Sequence, residues 1–138
     1  MSKISEKIIV FLADYPEREF YGQEIADKIN CSKASASIIL KELSRKKMVS
    51  RVARGHMKFY RINAKSLEVK KLKINIVLEN INHFIPRLEK VSERVILFGS
   101  GSRGEQTAQS DIDLFVVSRE KKERRKFLVG ITLTIGAN

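Results

Sequence analysis

Apolar residues at Ile4, Ile8, Phe11 and Leu12 recur with the spacing of one helical face, which predicts a first helix ending before Tyr15-Pro16. Tyr21-Gly22-Gln23-Glu24 opens a short second helix with Ile25 and Ile29 turned inward. Ser32 is placed to cap a third helix running to about Lys47, with Ala36, Ile39, Leu40 and Leu43 on its core side. The pattern then changes. Met48-Val49 leads into a strand to Arg54, Gly55-His56 makes a turn, and a return strand runs from Met57 to Ile62. From Ala64 to about Val91 the positions Leu67, Ile74, Val77, Ile81, Phe84 and Leu88 mark an amphipathic helical connector. Pro86 interrupts it and fits the first turn of a new helix. The near-heptad spacing permits a homodimer seam; packing against a sheet is the commoner explanation and is favoured here.

Val95-Ile96-Leu97-Phe98 is an apolar run that stops at Gly99-Ser100, the mark of a buried strand entering a tight turn. After ten further residues, Asp111-Ile112-Asp113-Leu114 opens a second strand extending to Val117. Residues two apart on a strand point the same way. Asp111 and Asp113 therefore present paired carboxylates while Ile112 and Leu114 face the core. A surface turn with Asp111 as a cap leaves Asp113 unexplained, because an unpaired acid inside an apolar strand is costly. Paired carboxylates suit Mg²⁺, which takes oxygen ligands and keeps positions open for phosphates. Gly99 allows close backbone approach, and Ser100 adds a hydroxyl beside exposed N–H groups, a cradle for phosphate. Together these are the parts of phosphoryl or nucleotidyl transfer.

The 138 residues allow one medium domain or two small ones. No apolar stretch approaches the roughly 20 residues of a membrane span, and Met1-Ser2-Lys3-Ile4-Ser5-Glu6 does not read as a signal peptide. The single cysteine, Cys31, excludes an internal disulfide. His83 has no clustered ligands and reads as structural. A cytoplasmic protein fits all of this. The net charge of +11 is large for the size, and residues 1–63 carry 13 basic against 7 acidic groups. That excess suggests a nucleic-acid partner for the N-terminal half.

Three helices followed by a basic hairpin is the order of a winged helix-turn-helix. The segments Gly22-Gln23-Glu24-Ile25-Ala26, Ser32-Lys33-Ala34-Ser35-Ala36-Ser37 and Leu40-Lys41-Glu42-Leu43-Ser44-Arg45-Lys46-Lys47-Met48-Val49 resemble that family closely. Lys33, Ser37 and Lys41 form one polar stripe opposite the apolar face. The resemblance implies that this stripe enters the major groove of double-stranded DNA, with Ser32 and Ser35 near its leading end. Arg51, Arg54, His56 and Lys58 of the hairpin would touch phosphates or the minor groove.

Gly99-Ser100, ten residues, then Asp111-x-Asp113 resembles the minimal nucleotidyltransferases of the DNA polymerase β-like superfamily, as do Arg103, Gly104 and Glu105. The resemblance implies transfer of a nucleoside monophosphate, with AMP from ATP as the expected case. Asp111 and Asp113 would be the catalytic, Mg²⁺-binding pair, and Gly99, Ser100 and Arg103 would bind the nucleotide. It also implies a regulatory role, with a helical HEPN-type protein as a candidate partner in a toxin–antitoxin pair. Two departures stand out. Gly101 occupies a position where many members carry Arg, and no third carboxylate follows on a later strand. After Asp113 the chain has Glu120 and Glu123, in a charged run expected as an exposed helix, and Ile131 to Ile135 is a candidate strand without an acid. Either the domain is truncated here or this lineage lacks that ligand. A catalytically inactive, DNA-binding regulator is the alternative.

The expected architecture is α+β. A winged helix-turn-helix occupies 1–63 and a helical connector 64–92. A partial nucleotidyltransferase module with a mixed sheet occupies 93–138.

Overall fold

The computed structural model describes residues 1–118 and 128–133, and the chain divides into two compact units, Met1–Lys70 and Lys71–Asn138. The first unit begins with α1 (Lys3–Asp14), whose N-terminus is capped by Ser2 accepting from the Ser5 N–H at 3.1 Å. Strand β1 (Phe20–Tyr21), α2 (Gly22–Ile29), α3 (Lys33–Arg45), β2 (Val49–Arg54) and β3 (Met57–Ile62) follow. The three strands form an antiparallel sheet in the order β1-β3-β2. Ile8, Ile9, Leu12, Ile25, Leu40 and Met48 are fully buried, so the three helices and the start of the hairpin share one core.

Two local features differ from the sequence expectation. β1 is only two residues long and exists through its pairing of Phe20 with Tyr60 and Tyr21 with Phe59. Helix α3 stops at Arg45, short of Lys47. Lys47 takes the left-handed conformation (φ 61°), and the Met48 N–H returns to the Leu43 carbonyl at 3.0 Å. This is a Schellman ending with lysine where glycine is usual, and it turns Met48 and Val49 into the core.

The division between units falls within α4 (Leu67–Ile81). The second unit continues with α5 (Ile85–Val91), β4 (Ser92–Phe98), α6 (Gly99–Ser102), β5 (Ile112–Ser118) and β6 (Leu128–Leu133). Pro86 sits in the first turn of α5. The sheet order is β4-β5-β6 and both pairings are antiparallel, so the described strands do not form the mixed sheet expected. Val77 and Ile81 of α4 pack with Ile112 and Leu114 of β5, flanked by Ile85, Leu88, Val95 and Leu97. The connector's apolar stripe thus covers one face of the sheet. Leu67 and Phe84 are exceptions, at 72% and 41% exposure. The expected exposed helix around residues 119–126, and the end of the candidate strand at Thr134 and Ile135, lie outside the described residues. No helix among the described residues is long and apolar enough to cross a membrane.

Candidate functional site

Antiparallel register places Phe98, the last residue of β4, opposite Asp113 of β5. Along β5, Ile112, Leu114 and Val116 are buried, whereas Asp113 and Phe115 alternate with them and are only half-buried. Asp111 immediately precedes the strand and is also half-buried. Asp113 therefore lies on the sheet face turned away from α4.

The tightest feature of the site is the approach of Asp113 to Gly99. A Cβ placed on Gly99 would collide with the Asp113 carboxylate oxygen and would lie 3.1 Å from its Cγ. Gly99 also has φ 72°, where L side chains are strained. Glycine is thus required here on two independent grounds. The turn that follows is held by short bonds: the Ser102 hydroxyl donates to the Gly99 carbonyl at 2.7 Å. The N–H groups of Arg103 and Glu105 both donate to the Ser100 carbonyl, at 3.1 and 3.0 Å. Gly99, Ser100 and Asp113 are brought together by this turn.

Among the described residues, the carboxylates of Asp111 and Asp113 make no hydrogen bond or ion pair, leaving their oxygens available as hard donors of the kind a divalent cation takes. No group of three His, Cys, Asp or Glu side chains that could hold a metal occurs among those residues, and Glu120 and Glu123 lie outside them. Arg103 is engaged by a neighbouring acid. Its Nε donates to Glu105 at 3.0 Å, an exposed pair that a stronger anion can displace. Gly101 is buried, and a Cβ there would meet the Val77 methyl groups at 3.5 and 3.6 Å. An arginine at 101 would therefore begin against an apolar helix.

One feature of this face was missed from the sequence. Phe98 and Phe115 stack with centroids 4.0 Å apart and planes at 22°. The same strand alternation that puts Asp113 on this face also puts Phe115 there, so the signal was present.

In the first unit the expected DNA-binding residues separate into groups. Lys33, Ser37, His56 and Lys58 line one groove of about 390 Å³, floored by Leu40 and Tyr60. Lys41 is exposed on α3, and Arg51 lines a different groove with Lys47, Arg61 and Lys65. Ser32 and Ser35 are occupied with each other, because the Ser32 hydroxyl accepts from the Ser35 N–H at 3.1 Å and donates to the Ser35 hydroxyl at 2.9 Å. Arg54 is held in an ion pair with Glu19 and lies 5.2 Å from the Phe59 ring centroid. Its guanidinium is not free in the way the sequence suggested.

No curated protein matches the chain. Among solved structures it is similar to the crystal structure of AF1382 from Archaeoglobus fulgidus, at 23% identity and a TM-score of 0.45, over 62% of this chain and 90% of that one. Residues 78–135 match the family model described as nucleotidyltransferase domain, a match that suggests nucleotidyl transfer in general.

Proposed function

We propose that this chain transfers a nucleoside monophosphate, AMP from ATP, to a protein or small acceptor, and that its first unit binds duplex DNA. The observation that carries the transfer reading is the Asp113 carboxylate lying directly against Gly99, with Asp111 immediately before β5. A turn that admits no side chain at 99 lets the Asp113 carboxylate lie directly against the backbone proposed to carry the phosphates. Asp111 and Asp113 would hold Mg²⁺, which when bound offsets negative charge on the nucleotide's phosphates. Gly99 and Ser100 would orient the β- and γ-phosphates, and Arg103 would leave Glu105 to join them. In the reaction the acceptor hydroxyl attacks the α-phosphorus, the bond to the bridging oxygen breaks, and pyrophosphate leaves. In the regulatory form of this reading the first unit represses transcription and the second modifies a HEPN-type partner.

The DNA reading rests on charge. Lys33, Lys41, Arg51 and Lys58 are exposed and, among the described residues, carry no ion pair with a carboxylate. A second reading, a DNA-binding regulator without catalysis, is favoured by the lack of a third acid among the described residues. Titration calorimetry and labelled ATP separate the two. ATP should bind at least tenfold tighter with Mg²⁺ than without, and Asp111→Asn with Asp113→Asn should remove the difference. Equal affinity in both proteins would overturn the nucleotide site altogether. Mg²⁺-dependent binding without label transfer to any component of a cell extract selects the regulator.

A further inference from the structure

Ile38 is 72% exposed in the middle of α3, one of the most exposed large apolar residues among those described. Its position is unusual on two counts. A β-branched residue at an exposed helix site loses helix propensity relative to Ala, Lys or Glu, and here it gains no burial in return. The buried residues of α3 are Ala36, Leu40 and Leu43, on the opposite side. The face that Ile38 shares with Lys41 also carries Ala34 and Glu42, the latter paired with Arg45, and α3 as a whole has three cations against one anion. An apolar side chain beside the free cation Lys41, on a helix of net positive charge, fits a ligand whose rim is anionic and whose centre offers an apolar group. Duplex DNA has that form: phosphates border the major groove, and the C5-methyl of thymine is the apolar group exposed within it.

We infer that Ile38 reads thymine by contact with its C5-methyl group, and so sets the sequence preference of α3. The inference rests on the DNA-binding reading of the first unit and adds a specific contact to it. Lys41, one turn further on, contributes affinity through phosphate and no base preference.

The test uses the full chain. The tightest duplex is recovered from a randomised pool, and fluorescence anisotropy is measured on it and on versions with uracil replacing each thymine in turn. Loss of one methyl contact corresponds to about a fourfold weakening. Wild type should show that loss at one thymine, Ile38→Ala should bind the thymine duplex about as weakly as wild type binds the uracil duplex, and Ile38→Ala should not distinguish the two. Lys41→Ala should bind more weakly yet keep the thymine preference. Equal responses of wild type and Ile38→Ala to every uracil would overturn the inference while leaving DNA binding intact. Recovery of no duplex at low salt would overturn both. If Ile38→Ser instead changes the oligomeric state in sedimentation and leaves uracil sensitivity untouched, the face is a self-association surface and the inference fails.

Discussion

The two units present their candidate functional groups in opposite ways. In the first, the groups are long cations at the rim of a well-packed scaffold, and the core beneath them runs through α1, α2, α3 and the hairpin. Each lysine reaches its target through a flexible stem, so the contribution of each is graded and screened by salt. In the second, the groups are two short carboxylates with little reach. Their placement depends on the register of β4 against β5 and on the bare backbone at Gly99. One unit tolerates small backbone shifts; the other does not.

The sharpest way to break this contrast is Gly99→Ala. A methyl group there meets the Asp113 carboxylate and must also occupy φ 72°. The left-handed conformation alone costs about 1–2 kcal/mol, and displacing β5 adds to it. Calorimetry should show the transition of the second unit shifted down while that of the first is unchanged, together with loss of Mg²⁺-dependent ATP binding. An unshifted second transition would mean that Asp113 moves aside freely and that the register does not hold the site.

A smaller effect tests the scaffold side. Ser32→Ala removes the acceptor for the Ser35 N–H and should destabilise the first unit by about 1 kcal/mol. Ser35→Ala keeps that N–H and should cost much less. If Ser35→Ala nevertheless weakens DNA binding without lowering the thermal midpoint, Ser35 contacts DNA in addition to its part in the cap.

These positions also show which parts of the structure are legible in sequence. The cap at Ser32 and the alternation that turns Asp113 away from buried Ile112 and Leu114 are local, set by the next few residues and by strand geometry, and both can be read directly. β1 cannot, because two residues become a strand only by meeting Tyr60 and Phe59 nearly forty positions later. The end of α3 at Lys47 carries no glycine to announce it; burial of Met48 and Val49 forces the turn. Arg54 is basic and lies on the hairpin, yet its pairing with Glu19 is a tertiary event that charge counting does not register. Connector periodicity identified Val77, Ile81 and Leu88 correctly as packing residues. It included Leu67 and Phe84 because spacing alone says nothing about which neighbours lie within reach.

The smallest expected effect concerns Glu42, in the last turns of α3. It accepts hydrogen bonds from Arg45 Nε at 3.0 Å and Nη2 at 2.6 Å, with Lys46 Nζ at 3.9 Å. The Arg45 hydrogen bonds, aided by the charges of Arg45 and Lys46, hold the Glu42 carboxyl below its ordinary value. A carboxyl lowered on folding contributes stability above its unfolded pKa, about 4.3, and that contribution is lost as pH falls through the lower folded value. The pair is exposed, so its worth is small and salt-dependent. Glu42 also carries its negative charge near the negative end of the helix dipole, which offsets part of the gain. Denaturation of wild type and Glu42→Gln should therefore show a slight advantage for wild type at pH 7 that closes as pH falls below the unfolded value of about 4.3 and shrinks in high salt. A difference that stayed constant over that range would assign the effect to packing of the side-chain stem instead of its charge. The same variant frees Arg45 for phosphate, so a gain in DNA affinity alongside the slight loss of stability would place Arg45 with the cations that act at the rim.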